Sequence, residues 1–401
     1  MITIEFLLFG ATLLGVAVFQ RHTLSIALLG LAAITAYKVL FGDFHGAPGA
    51  VGLLFQLHAE WVILVNLFCL LVGFALLSRH FEQSQLPHVL PRILPDDWKG
   101  GLVLLALVFV ISAFLDNIAA AMIGATVART IFRGNVHVGF LAAIVAAANA
   151  GGAGSVIGDT TTTMIWLDGV SPLAVLPGYV ASLAAFFAFA IPAARLQHRH
   201  SPILKNPDLV VDVDVSRLIV VMLVLTAAIG ANVYANNLEA DRTGVFPYIG
   251  ATVVGVLLLL TPWRRPDWRI VPEAARGSVF LLALVLSASM MPVDALPPAS
   301  PQTTFGLGFV SAVFDNIPLT KLALEQGGYD WAALAFAVGF GGSMIWFGSS
   351  AGVAVSNLFP EAKSVGQWLQ QGWFVVVAYV IGFMVYMLLH GWQPHAPHRN
   401  F

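Results

Sequence analysis

Two short segments place carboxylates where a carboxylate is costly. Ser112-Ala-Phe-Leu-Asp116-Asn117-Ile and Ser311-Ala-Val-Phe-Asp315-Asn316-Ile stand 199 positions apart, each inside a long apolar stretch. Ionisable groups in such stretches usually mark a site or a pathway. A run of glycines and oxygen-bearing side chains follows each one. The first is Asn149-Ala-Gly-Gly-Ala-Gly-Ser155-Val-Ile-Gly-Asp159-Thr160-Thr161-Thr162-Thr163, and the second is Gly339-Phe-Gly-Gly-Ser343-Met-Ile-Trp-Phe-Gly-Ser349-Ser350. Without gaps, Gly151, Gly152 and Gly158 align with Gly341, Gly342 and Gly348 at an offset of 190.

The donors in these motifs are Asp116, Asn117, Asn149, Asp159, Thr161, Thr162, Ser311, Asp315 and Asn316. They offer hard oxygen, with no sulfur or imidazole, and suit an alkali cation or a proton. Desolvation disfavours the charged form of a carboxylate, and a second carboxylate nearby disfavours it further. Such a group can trade a proton for a sodium ion at the same oxygen, which is sufficient chemistry for antiport. Asp and Asn also cap helix N-termini well. A structural reading therefore stays open for Asp116 and Asp315, and more so for Asp159.

The elements that must position these groups follow from composition. Of 401 residues 58% are hydrophobic and 10% charged, and mean hydropathy is +0.85. These values indicate an all-α polytopic membrane protein in a lipid bilayer. The net charge of −2 and the absence of a basic patch argue against nucleic acid. A single cysteine, Cys69, leaves no internal disulfide. Ten stretches are long enough to span: near 2–20, 23–41, 54–78, 137–167, 172–195, 216–236, 245–262, 277–292, 331–358 and 372–391. The first lacks a basic leader region and is read as a retained helix.

Two more apolar segments, 103–131 and 304–326, carry Asp-Asn at their middle. Their limbs of about 10 to 14 residues reach only roughly 15–21 Å as helix, short of a hydrocarbon core of about 30 Å. Both are expected to be re-entrant hairpins with Asp116-Asn117 and Asp315-Asn316 at the tips. The glycine and hydroxyl runs should break the helices 137–167 and 331–358, freeing backbone carbonyls for a cation. Five crossings and one hairpin per half make the second half enter from the opposite side. The expected organisation is an N-terminal repeat over 1–200, a cytoplasmic linker over 201–215 and an inverted repeat over 216–401.

Loop charges orient this scheme. With the N-terminus outside, 15 of the 19 Lys and Arg fall on the inner side. Lys38, Arg242, Lys321 and Arg399 fall outside. That split fits the positive-inside rule, with both termini outside. His58 and Glu60 are expected at a membrane interface. Lys321 and Glu325 form a helical pair four apart, or Lys321 pairs with Asp315. Trp61, Trp166, Trp346, Trp373 and Trp392 read as interface anchors.

The stretch Asn149-Ala-Gly-Gly-Ala-Gly-Ser-Val-Ile-Gly-Asp-Thr-Thr-Thr-Thr-Met164, after Ser-Ala-Phe-Leu-Asp-Asn, resembles the NhaD-type sodium/proton antiporters. These form part of a larger ion transporter superfamily that includes arsenite, citrate and dicarboxylate carriers. The resemblance extends to the second Asp-Asn-Ile-Pro318. It implies inverted repeats, hairpin tips meeting broken helices, a homodimer in a bacterial inner membrane and an elevator-like motion. It carries Asp116, Asn117, Asn149, Asp159, Thr161, Thr162, Ser311 and Asn316 onto the ion pathway, with Ser343, Ser349 and Ser350 as further matches. Gly154, Val156, Thr160 and Lys321 depart from the family pattern.

The reading that follows is a secondary antiporter exporting sodium or lithium against protons, with no cofactor and no enzymatic step. Sodium is expected at Asp116, Asn117, Asp315 and Asn316. The alternative is a coupled anion carrier of the same superfamily, favoured only by Lys321. An intramembrane aspartyl protease using Asp116 and Asp159 would need no second Asp-Asn.

Overall fold

Apolar runs bounded by caps and glycines fold as helices throughout the computed structural model, which describes residues 3–19, 22–44, 47–86, 94–203, 212–236 and 246–395. In chain order the main helices are α1 (Ile4–Val18), α2 (Thr23–Phe41), α3 (Gly49–Gln83), α4 (Trp98–Ser112), α5 (Asn117–Ile131), α6 (Val138–Gly152), α7 (Thr160–Leu167), α8 (Gly178–His200) and α9 (Val215–Asn236). Then come α10 (Tyr248–Leu260), α11 (Val271–Ser289), α12 (Pro301–Ser311), α13 (Asn316–Gln326), α14 (Trp331–Gly341), α15 (Ser350–Leu358), α16 (Val365–Gln371) and α17 (Trp373–Leu389). Among the described residues the strands are one antiparallel pair, Asp43–Phe44 with Ala47–Pro48. The chain is an all-α multi-pass membrane protein.

Local chemistry sets the boundaries. Asp97 accepts from Lys99 N at 3.0 Å to start α4. Ser300 and Thr303 form a reciprocal capping box at α12, with Pro301 in its first turn. Asp330 accepts from Ala332 N and Ala333 N, both at 3.1 Å, to start α14. Gly327, at φ 69 and ψ −175, ends α13 in a positive-φ conformation that suits glycine.

α6 and α14 are buried along their whole length. Their sequences are apolar on every face and rich in Ala and Gly, which marks helices enclosed on all sides. Small residues let neighbours approach closely. A Cβ on Gly151 would collide with Phe109 O, and one on Gly341 with Gly308 O. α4, α8, α12 and α17 pack around this pair. The shared core includes Phe189, Phe336, Phe340, Trp368 and Tyr379. A second group consists of α1–α3 with α9–α11, and α13 rests on it through α11.

By length and composition four segments could each cross a membrane unaided: Thr23–Phe41, Gly49–Gln83, Pro172–His200 and Trp268–Ser289. A fifth arises if Val365–Gln371 and Trp373–Leu389, bent by 61°, count as one. The other apolar helices described have 10–17 residues. The stretches read as single spans over 137–167 and 331–358 are pairs of short helices, interrupted at 153–159 and 342–349. α4 and α5 have 15 residues each, about 22 Å of helix. α12 and α13 have 11 each.

Some expectations are corrected. Trp166 and Trp346 lie in the core at 2% and 8% exposure, not at an interface. Lys38 is buried and donates to Met290 O at 2.7 Å. Lys321 is buried as well, so neither is an outer loop charge. Arg21, Arg92, Lys205, Arg242, Arg399 and linker positions 204–211 lie outside the described residues. The end of the linker is anchored: Asp214 N donates to Ser84 O at 2.8 Å, and its carboxylate lies 3.3 Å from Arg264 and 3.5 Å from Arg217.

Candidate ion-binding site

Matching turns precede α5 and α13. Asp116 Oδ2 accepts from Ile118 N at 3.2 Å, and Asp315 Oδ1 from Ile317 N at 3.0 Å. Both carboxylates are thus N-caps. Asp315 Oδ2 also faces Ser350 Oγ at 3.4 Å. The next residue of each pair, Asn117 or Asn316, turns inward and is buried.

The two asparagines converge on Asp159. Asn117 Nδ2 lies 3.0 Å from Asp159 Oδ1 and 3.0 Å from Asn149 Oδ1. Asn316 Nδ2 lies 3.3 Å from Asp159 Oδ1 and 3.0 Å from Thr161 Oγ1. Asn149 Nδ2 reaches Ser343 Oγ at 2.9 Å and Ser349 Oγ at 3.3 Å. One cluster therefore joins both Asp-Asn turns to both helix breaks.

Asp159 is 1% exposed. It occupies the N-cap position of α7, yet its side chain makes no capping bond. Oδ1 receives both carboxamides, whereas Oδ2 is buried and has no hydrogen-bond partner. A buried carboxylate oxygen in that condition is costly unless a proton or cation occupies it. Oδ2 faces Gly339, where an added Cβ would stand 2.8 Å away. Asp116 and Asp315, expected from sequence as the central carboxylates, each cap a helix here, and Asp159 is the carboxylate that both Asp-Asn turns contact.

The remaining hydroxyls brace the site. Ser112 Oγ donates to Ala148 O and Ser311 Oγ to Val338 O, both at 2.6 Å. The two contacts are equivalent at offsets of 199 and 190. Thr162 Oγ1 lies 2.6 Å from Ser155 O and 2.8 Å from Asp159 O, spanning the first break. Ser349 receives Gly352 N at 3.2 Å and caps α15.

Two cavities reach the turns. One of about 430 Å³ is lined by Asp116, Thr160, Thr163, Arg79 and Glu273. The other, about 520 Å³, is lined by Asp315, Ser349, Ser350, Asn357 and Glu273.

No family model matches the chain. "Sodium/proton antiporter 1" of Arabidopsis thaliana is 29% identical over 330 residues, covering 73% of this chain and 55% of that one. "Sodium/proton antiporter 2" of the same plant is 28% identical over 323 residues, 70% of this chain and 74% of that one. The "Na(+)/H(+) antiporter NhaD" of Vibrio cholerae serotype O1 is 24% identical over 341 residues, 71% and 69%. The chain is thus similar, over about 70% of its length, to proteins named sodium/proton antiporters, one of them NhaD. Its match spans only about half the length of the first of them.

One group of buried charges lies where the sequence reading did not place it. Glu60, expected at an interface beside exposed His58, is 2% exposed. It lies 3.0 Å from Lys321, and Glu325 lies 2.6 Å from the same ammonium. An ionisable residue deep in a 35-residue apolar helix was the available signal.

Proposed function

We propose that this chain is a secondary active sodium (or lithium)/proton antiporter in which Asp159 binds the proton and the cation in turn. The observation that carries the reading is the buried, unpartnered Oδ2 of Asp159, at the point where both Asp-Asn turns and both helix breaks meet. With a proton on Oδ2 the cluster is neutral. When sodium displaces it, the carboxylate balances the charge, and the carboxamide, hydroxyl and freed carbonyl oxygens complete the shell. Asn117, Asn149, Thr161 and Asn316 orient the carboxylate. Asp116 and Asp315 stand at the cavity surfaces as approach groups. Chemistry of this kind needs no cofactor and makes or breaks no covalent bond beyond proton transfer. The names of the relatives support the same activity.

The architecture proposed for this function is a pair of inverted repeats with re-entrant hairpins 103–131 and 304–326, assembled as a homodimer moving elevator-fashion in a bacterial inner membrane. The paired contacts at offsets of 199 and 190 support the duplication. Ten crossings would include helices shorter than a full unaided span. Both cavities reach Glu273, which neighbours Arg264, Arg265, Arg269 and Arg276 in sequence. The loop count places those arginines in the cytoplasm, with both termini outside, so this conformation is read as open inward.

The anion-carrier alternative loses its main support, because Lys321 is gripped by two carboxylates. The test is proton movement in everted vesicles with sodium, lithium, potassium, citrate and a dicarboxylate added in turn. Proton release by sodium or lithium alone fits the proposal. A response confined to the anions would refute it.

A further inference from the structure

Three buried charges stand apart from the bonds around Asp159. Lys321 is 1% exposed and Glu60 2%, and the Glu325 side chain is 5% exposed. Lys321 Nζ meets both Glu60 oxygens, at 3.1 and 3.0 Å, and Glu325 Oε1 at 2.6 Å. Taking such ions out of water costs several kcal/mol each, and apolar residues of similar size often stabilise a fold at least as well. The better-attested use of a buried ion pair is to fix one register between two elements.

The elements joined here matter to the site. Glu60 lies on α3, in the group formed by α1–α3 and α9–α11. Lys321 lies on α13, which begins at Asn316. One turn nearer that end, Ile317 packs with Leu67, Met164, Leu281 and Val285. Apolar contacts of this kind are non-directional and tolerate small slides. The ammonium between two carboxylates does not. The Asn316 to Asp159 bond, at 3.3 Å, is already beyond the usual N–H···O range. A sub-ångström shift of α13 would therefore make or break it.

Resting on the reading of Asp159 as the exchange centre, we propose that Lys321 is a positioning residue for it. Held by Glu60 and Glu325, Lys321 sets the height of α13 against α3 and so keeps the Asn316 carboxamide on Asp159 Oδ1 and Thr161 Oγ1. It acts through Asn316.

The test uses the full chain, purified and reconstituted in liposomes, with proton flux recorded against sodium concentration. The variants are Asn316→Ala, Lys321→Met, the two combined, and the swap of Glu60→Lys with Lys321→Glu. Lys321→Met should raise the apparent KM for sodium about tenfold, as for one lost buried hydrogen bond, with maximal rate within about threefold. Asn316→Ala, which removes the contacts to both Asp159 and Thr161, should raise KM at least as much. Because one residue acts through the other, the combined variant should be no worse than Asn316→Ala alone. The swap keeps one ammonium between two carboxylates and should bring KM back to within about threefold of wild type. Additive KM effects, or a swap as impaired as Lys321→Met, would overturn the proposal. Lys321→Met leaves two buried carboxylates without their cation and can fail to assemble. The swap then decides alone: KM near wild type supports the proposal and a tenfold rise overturns it. Normal sodium dependence in Asn316→Ala would instead count against the Asp159 centre itself.

Discussion

Asp159 and Ser349 occupy matching positions, 190 apart, at the starts of α7 and α15. Only one of the two is a carboxylate. The same asymmetry separates Asn149 from Gly339, and the missing side chain at 339 leaves the space that Asp159 Oδ2 faces. A duplicated frame thus holds a single, off-centre charge. Gly339→Ala tests the value of that space. Within a helix the change should stabilise by up to about 1 kcal/mol, yet its methyl would press on Oδ2. The expected outcome is a folded protein with apparent sodium affinity lowered roughly tenfold, read by sodium titration of proton flux. Normal affinity would show that Oδ2 is not where the cation sits. Asp116→Asn and Asp315→Asn keep good caps, since Asn and Asp rank alike at that position. Thermal unfolding in detergent should place both variants within about 0.5 kcal/mol of wild type, so slower exchange in either would report the lost charge at the cavity surface.

The helix breaks at 153–159 and 342–349 are marked in the sequence by glycines mixed with hydroxyl and carboxylate residues, because those residues neither favour helix nor leave polar groups idle. The Asp-Asn pairs mark the turns for the same reason. What sequence could not supply was which oxygen points where. Asp116 and Asp159 are both Asp before a helix, and only tertiary packing separates a capping carboxylate from one that receives two carboxamides on Oδ1 and has no hydrogen-bond partner on Oδ2. Glu60 was misread because a span of 54–78 put it near an end, whereas α3 runs from Gly49 to Gln83. Ser112 and Ser311 tie each Asp-Asn segment to its broken helix. Ser112→Ala should cost about 1 kcal/mol, lowering the melting temperature by a few degrees while sodium-driven exchange persists. Complete loss of exchange would move Ser112 into the ion shell. At the membrane surface, Ser216 Oγ donates to Asp214, and with Arg264 and Arg217 nearby this holds the Asp214 carboxyl below its ordinary range. The stability it adds is therefore fully present above the ordinary carboxylate range and is lost progressively as pH falls from that range through the depressed value. Hydrogen exchange near 214–217 should follow that order, and Asp214→Asn should abolish the acid transition.

At the scale of the molecule, two helix groups meet at the site. One carries the breaks and Asp159; the other, through α3 and α11, walls the cavities and grips α13. If proton and sodium share one carboxylate, they compete. Apparent sodium affinity should then fall as pH drops, while saturating sodium restores the maximal rate. A pH effect on maximal rate alone, with affinity constant, would argue for separate sites. The most direct test of the shared carboxylate is sodium-driven proton release from everted vesicles containing wild type or Asp159→Asn at matched expression. Asn keeps the size and the acceptor for Asn117 and Asn316 but cannot exchange a proton for a cation. The account predicts a folded, membrane-inserted variant whose sodium-driven proton release falls by at least about a hundredfold, to background. Exchange within a few-fold of wild type would contradict it and return the shared role to Asp116 or Asp315.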